Sequence, residues 1–366
     1  MRLQNIFKKI IEKTKRKLLY MECKIKYDGK PFSPAIQSQV KKIIYKYSPD
    51  IYFHDEKTSR SLADRWQGRV CKPNLRFIEN AVPVVLSANE DFAPYMAVML
   101  QSLMDNSNPL RKYHFIILGR DFSDETKKYI LNQKYNFSHC EIDFINTESA
   151  FAEIPIIPRP GGPLSIDTFS RLFIPYWLDR YPKVIYCDSD MIAKADIAEL
   201  YDLDMHDSCM GAVIAHSVNV HLQNRTYSFF LGWPLFLNVE DWTSYINAGV
   251  LVFNTKKFME KISYHDCFKF AIYFTNRFKE RCNDQDVLVS LVKSDCFSLP
   301  QEWNYVWRIF KDGKRLFRLA ESNTKLFHFV SPVKPWKNIP EIASHPDVLA
   351  YRNYAKTVPL YRERNR

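Results

Sequence analysis

Two carboxylates, Asp188 and Asp190, stand one residue apart after the run Lys183-Val184-Ile185-Tyr186-Cys187. That apolar, β-branched run reads as a short strand buried in a parallel sheet. In an extended backbone residues i and i+2 point to one side, so the two acids can converge on one hard cation. A divalent metal held by one or two carboxylates keeps open positions that phosphate oxygens can fill. Ligands of open α/β sheets gather at the carboxyl ends of strands. The pattern therefore nominates a metal–diphosphate site, against the plain alternative of a solvated turn made of Asp and Ser.

Other groups able to do chemistry lie further along. Asn247-Ala248-Gly249-Val250 opens a strand through Asn254, and Asn283-Asp284-Gln285-Asp286 opens a helix with acids in its first turn, where the dipole favours them. Leu326-Phe327-His328-Phe329 leads into Ser331-Pro332-Val333-Lys334-Pro335-Trp336. Taken singly, each has an ordinary reading. Asp284 and Asp286 can cap their helix, His328 can be a satisfied histidine at a strand end, and Lys334 a solvated lysine.

The elements that must position these groups alternate. Val82 to Leu86 is a short strand interrupted by Pro83, followed by the polar turn Ser87-Ala88-Asn89-Glu90-Asp91 and a helix from about Phe92 to Met104. A strand over Tyr113–Leu118, a helix over Ser123–Gln133 and a strand over Cys140–Ile145 come next. Such alternation implies a parallel α/β sheet. The proline-rich connection Ile154–Pro163 reads as a loop able to cover a site, and Ser165–Trp177 as a helix carrying Arg171. Beyond the two acids come a strand over Met210–Ala215, an aromatic-rich irregular stretch over His216–Asp241 expected to form an acceptor-binding lip, and a helix from the end of the Asn254 strand to about Phe278.

With 366 residues the chain can build one large domain with additions, or two domains. It has no run of about 18 apolar residues and no signal-peptide core, because charges interrupt Ile6-Phe7-Lys8-Lys9-Ile10-Ile11. Its eight cysteines are scattered without a Cys-x-x-Cys pair, which argues against a zinc ribbon or disulfide framework and suits a reducing, cytoplasmic compartment. Residues 1–81 hold 19 Lys and Arg against 8 Asp and Glu, the whole of the formal excess of +11. Leu3, Ile6, Phe7, Ile10 and Ile11 recur at helical spacing among Lys8, Lys9, Lys13, Lys15, Arg16 and Lys17. Such a helix can lie in an anionic membrane interface or pack on its own domain. A smaller basic cluster (Arg352, Lys356, Arg362, Arg364, Arg366) closes the chain. Basic charge alone also permits nucleic-acid binding, but no nucleic-acid motif accompanies it.

In order and spacing, Ser87 to Tyr95, Arg171, Tyr186 to Asp190, Asn247 to Val250, Asp284 to Asp286 and His328 to Trp336 resemble glycosyltransferase family 8, which includes bacterial lipopolysaccharide hexosyltransferases and glycogenin. The resemblance implies a GT-A fold: a Rossmann-like mixed, mostly parallel sheet with flanking helices over 82–338, after a basic N-terminal extension (1–81) and before a basic C-terminal tail (339–366). It implies a UDP-sugar donor, UDP-galactose or UDP-glucose, and Mn²⁺ (or Mg²⁺) on Asp188, Asp190 and His328; an imidazole ligand suits Mn²⁺ better. Lys334 would meet the phosphates, and Ala88, Asn89 and Asp91 the nucleoside. Ser189 and Ser331 would flank the diphosphate, Ser331 standing where the family usually has glycine. Arg171, Asn247, Asp284 and Gln285 would surround the sugar. The implied reaction is retaining hexose transfer to a cell-surface glycan such as lipopolysaccharide or capsule, at the inner face of the cytoplasmic membrane. Gln285, an amide, is a poor nucleophile; this favours same-face attack, with Asp284 the alternative covalent partner. An inverting transferase, a nucleotidyl- or phosphotransferase on the same metal site, and a non-catalytic nucleic-acid-binding module remain the competing classes.

Overall fold

The computed structural model describes residues 73–120, 122–148, 166–215, 245–277, 284–292, 295–311 and 314–364, with seven isolated positions before residue 47. The amphipathic stretch over 1–20 (apart from Leu18), the connection over 154–163 and the aromatic stretch over 216–241 lie outside the described residues.

The first strands and helices alternate as the sequence implies. β1 (Ala81–Ser87), α1 (Ala93–Asp105), β2 (Lys112–Gly119), α2 (Asp124–Gln133) and β3 (Cys140–Asn146) wind with β2 parallel to both β1 and β3. Pro94 sits in the first turn of α1, where a missing N–H costs no helical bond. Ser123 caps α2 by accepting from Thr126 N at 3.1 Å, ahead of Asp124 and Glu125. Pro83 is tolerated inside β1 because only β2 reaches it, the strand on the other side pairing only with Val84 to Leu86.

That neighbour is β4 (Lys183–Cys187), reached through a 3₁₀ segment (Ile166–Phe173) and a short helix, α3 (Ile174–Trp177). The expected single helix over 165–177 is thus mostly 3₁₀. Arg171 Nε bonds Thr168 O at 2.9 Å, and β-branched and aromatic residues around it are poor helix formers. β5 (Met191–Ala193), α4 (Ala198–Asp202), β6 (Met210–Ile214) and β7 (Ile246–Asn254) follow. The long helix expected to Phe278 is two helices, α5 (Thr255–Lys261) and α6 (Tyr264–Arg277). The break is a reciprocal cap: Ser263 Oγ accepts from Asp266 N at 3.0 Å while Asp266 Oδ2 accepts from Ser263 N at 3.2 Å. After α7 (Asp284–Val292) come β8 (Cys296–Ser298), β9 (Tyr305–Val306), β10 (Arg308–Lys311), β11 (Lys314–Phe317), β12 (Leu326–His328), α8 (Pro346–Ala355) and α9 (Pro359–Arg364).

The main sheet runs β3-β2-β1-β4-β7-β6-β8, parallel except that β7 opposes both of its neighbours. Side chains alternate across it: Val84, Leu86, Ile185 and Cys187 enter one apolar cluster with α1, while Val85, Val184 and Tyr186 enter another with Phe173 and Phe268. From β1 the chain winds outward to β2 and β3, whereas β4 lies on the other flank. The carboxyl ends of β1 and β4 therefore form the switch point where such sheets bind ligands. A second, three-stranded sheet, β5-β12-β9, sets His328 opposite Met191, the residue after Asp190. Residues 346–364, read from sequence as part of a basic tail, form α8 and α9, which bury Val348, Tyr351, Ala355 and Leu360 against the α1 side of the core. No helix among the described residues is long and apolar enough to cross a membrane.

Candidate active site

The turn after β4 carries the two acids, and each presents its oxygens differently. Asp188 Oδ1 accepts from Tyr186 OH at 2.8 Å and from Arg171 Nη2 at 2.9 Å. Its Oδ2 lies 3.8 Å from His328 Nε2. Asp190 Oδ2 pairs with the Lys334 ammonium, while its Oδ1 lies 3.2 Å from the same imidazole nitrogen. One oxygen of each acid is thus committed to the protein, and the other turns toward Nε2. The three ligand atoms lie within 4.8 Å of one another. A hard divalent ion with bonds of roughly 2.1 Å places adjacent ligand atoms about 3 Å apart. The residues present therefore fit a divalent cation, held by Asp188, Asp190 and His328.

Burial makes these charges interdependent. Burial itself pushes the Asp190 carboxyl upward, yet the Lys334 ammonium and the His328 ring outweigh it and hold the group well below the usual carboxylate range. Lys334 also donates to Phe329 O at 3.0 Å. It arrives there through a turn in which Ser331 adopts φ 132°, a backbone region that favours glycine. Ser331 Oγ braces that turn by accepting from Val333 N at 3.1 Å.

A bulge in β7 supplies the floor. The β6–β7 register shifts between Ala212 and Val213, opposite residues 247–251. The bulge turns backbone groups into the site. Gly249 O accepts from Asp188 N at 2.8 Å, Ala248 O from Arg171 Nη1 at 2.6 Å, and Ala248 N donates to Gln285 Oε1 at 3.0 Å. Gly249 is required by close approach: a Cβ there would lie 2.4 Å from His328 Cε1.

Arg171 joins the two halves of this floor. Arg171 is 5% exposed, and its guanidinium stacks over Tyr186 with 4.4 Å to the ring centre and pairs with Asp284 at 2.9 Å as well as with Asp188. Burial opposes its charge, but Asp188 and Asp284 hold it well above its ordinary value. Asp284 is displaced in the opposite sense: burial raises its carboxyl above the usual range, and the Arg171 charge only partly offsets this. Gln285 Nε2 donates to Tyr245 OH at 3.1 Å, which in turn donates to Asp286 at 2.6 Å.

The structure therefore brings Arg171, Asp188, Asp190, Asn247, Asp284, Gln285, His328 and Lys334 into one hydrogen-bonded cluster. Ala88, Asn89 and Asp91 lie apart from it, past the end of β1, connected through Ser189 Oγ, which donates to Ser87 O at 2.7 Å. Asn89 caps its own turn, Oδ1 accepting from Phe92 N at 2.9 Å, and Asp91 is exposed. Tyr186, Tyr245, Gly249 and Asn304 also belong to the cluster although sequence reasoning gave them no role in the site. Of these, Tyr186 and Gly249 lay within stretches that carried the family resemblance, and a glycine inside a strand is itself a signal; Tyr245 and Asn304 had none.

The glycosyl transferase family 8 model matches residues 83–340, more than half of the chain. A Haemophilus influenzae protein is 25% identical over 225 residues, 61% of this chain and 62% of its own length. The lipopolysaccharide 1,2-glucosyltransferase of Escherichia coli K12 is 28% identical over 180 residues, 48% of each chain. The matches to these curated relatives thus span about half to three-fifths of the relatives' lengths. Among solved structures, the galactosyltransferase LgtC with donor and acceptor sugar analogues superposes with a TM-score of 0.57 at 22% identity, over 76% of this chain and 96% of that one. The fold is of the GT-A class.

Proposed function

The chain belongs to glycosyl transferase family 8, and from that premise we propose that it is a metal-dependent, retaining hexosyltransferase. In this reading it moves galactose or glucose from UDP to a cell-surface glycan, with residues 82–338 as the catalytic domain. The observation that carries the proposal is the paired presentation of the two acids: each fixes one oxygen on the protein and turns the other toward His328 Nε2. A divalent cation bound there, Mn²⁺ in this reading, supplies the positive charge against which a diphosphate departs. Lys334, a point charge on a flexible stem, shifts from Asp190 to the phosphate oxygens and stabilises the charge that develops as UDP leaves. Ala88, Asn89 and Asp91 line the nucleoside end, while Asn247, Asp284 and Gln285 face the hexose.

Within the retaining transfer proposed here, the candidate nucleophiles distinguish a covalent intermediate from same-face attack. Asp284 is buried and paired with Arg171, and Gln285 has both side-chain polar atoms bonded to the protein. Neither is presented for a covalent attack, which supports same-face delivery of the acceptor hydroxyl, with the departing phosphate taking its proton. The charge excess of residues 1–81 supports a place against the anionic inner face of the cytoplasmic membrane.

The test is UDP release from UDP-glucose and UDP-galactose with and without Mn²⁺, with NMR of the product anomer. Mn²⁺-dependent UDP release and a retained α-linkage are expected. Release of UMP or pyrophosphate, an inverted product, or no cleavage of any UDP-hexose would overturn the reading.

A further inference from the structure

A chain of polar contacts runs behind the His328 ring. Gly249 N–H donates to Asn247 Oδ1 at 2.9 Å, Asn304 Nδ2 donates to that same oxygen at 2.8 Å, and Asn304 Oδ1 lies 2.7 Å from His328 Nδ1. Only the first of these donors is fixed by covalent structure. The two ends of an amide side chain, and the tautomer of an imidazole, take whatever assignment the surrounding network imposes. Here the backbone N–H of Gly249 makes the Asn247 group beside it the oxygen. The Asn304 group meeting that oxygen must then be its NH₂, so the Asn304 oxygen faces the ring. Nδ1 must carry hydrogen, and the coordinating face of the imidazole is Nε2, the nitrogen 3.2 Å from Asp190 Oδ1. Asn304 is 1% and His328 2% exposed, so a wrong assignment would leave a buried polar group unpaired.

We propose that Asn304 is a positioning residue for the metal site, transmitting the direction of the Gly249 N–H through Asn247 and so holding His328 with its hydrogen on Nδ1 and Nε2 toward the two acids. The inference rests on reading Asp188, Asp190 and His328 as metal ligands. It also specifies Asn247: its oxygen already accepts two bonds, so it faces a donor sugar with its NH₂ and can recognise only an acceptor oxygen there. The bulge that shapes the floor and the ring that binds the cation are then one device. A shift at Gly249 reaches the metal ligand through two amides.

The experiment uses the full chain labelled with ¹⁵N-histidine, without metal or nucleotide, the His328 signals being assigned by their loss in His328→Gln. A slowly exchanging Nδ1 proton is expected in the wild type and in Asn304→Asp, which keeps the oxygen toward the ring while losing the NH₂ toward Asn247, and is expected to vanish in Asn304→Leu. Titration with Mn²⁺ alone, followed by electron paramagnetic resonance, is expected to show affinity weakened 10- to 100-fold in Asn304→Leu, the usual cost of losing such a supporting bond. In Asn304→Asp, which keeps the bond to the ring and loses the one to Asn247, it is expected to fall clearly less than in Asn304→Leu. A wild-type His328 with bare Nδ1 overturns the proposal, and that arm needs no variant to fold. Equal loss of affinity in folded Leu and Asp variants overturns it as well. Failure of every UDP-hexose to react, with the Nδ1 proton in place, would overturn the transferase reading and leave this one standing.

Discussion

The two ends of the site are built on different principles. The acid–imidazole end is a closed lattice: Arg171 alone touches Thr168, Ala248, Asp188 and Asp284, and the His328 ring rests on a glycine that admits no side chain. The turn past β1 is local instead, with Asn89 bonding a residue three positions on and Asp91 exposed to water. Glu90 adds a peripheral tie, taking Ser123, Thr126 and Arg364. In the proposed reading the first end holds a cation in one geometry, and its rigidity comes from long-range contacts. The second, which in the same reading admits and releases a nucleoside, keeps a local cap at Asn89 and leaves its longer ties to Glu90 and Ser87. A change at the first end should alter chemistry or fold stability strongly, and at the second chiefly donor affinity, with a small cost in stability.

Substitutions sharpen this contrast in order of size. Asp190→Ala removes a ligand and leaves Lys334 without its carboxylate. Mn²⁺-dependent UDP release is expected to fall by at least about a thousandfold, several kcal/mol of transition-state stabilisation. Turnover near wild type would break the contrast at its root. Arg171→Met strands Asp188 and Asp284 in a buried site, and urea unfolding is expected to show a loss of roughly 3–5 kcal/mol, as when one partner of a buried ion pair is removed. Arg171→Lys is expected to rescue only part of this, because a compact ammonium lacks the planar fork whose separate nitrogens reach Ala248 O, Asp188 and Asp284. Gly249→Ala drives a methyl into the imidazole; Mn²⁺ affinity is expected to drop roughly 10- to 100-fold with the far-ultraviolet circular dichroism unchanged. Asn89→Ala, at the other end, removes one cap. It is expected to cost about 1 kcal/mol in unfolding and to raise the donor KM with little change in kcat; a collapse of kcat there would erase the difference between the two ends.

Sequence and structure agree where a short-range pattern determines the outcome. The runs at β1, β2, β4 and β7 are continuous and apolar because both faces of a mostly parallel sheet are covered; the Asp-x-Asp spacing marked the two acids, but they sit on a bend rather than an extended strand, and Arg171, Tyr186 and Lys334 aim their oxygens. Disagreements arise where a single side chain competes with the backbone. Ser263 and Asp266 cap each other and split a helix whose apolar spacing runs on through the break. Arg171 binds the carbonyl three residues back and draws its segment into 3₁₀ form. In α8, Val348, Tyr351 and Ala355 recur at intervals of three and four, a legible core face that the surrounding basic residues masked. Asn304 was illegible in principle, since its partners, at positions 247 and 328, meet it only through the fold.

The most direct test of the clasp formed by Asp188, Asp190 and His328 is anomalous diffraction from a crystal of the full chain with Mn²⁺ and UDP. One manganese peak is expected within about 2.5 Å of an oxygen of each acid and of His328 Nε2, with the remaining positions filled by diphosphate oxygens. A peak that binds the diphosphate but leaves the imidazole outside coordinating distance would contradict it.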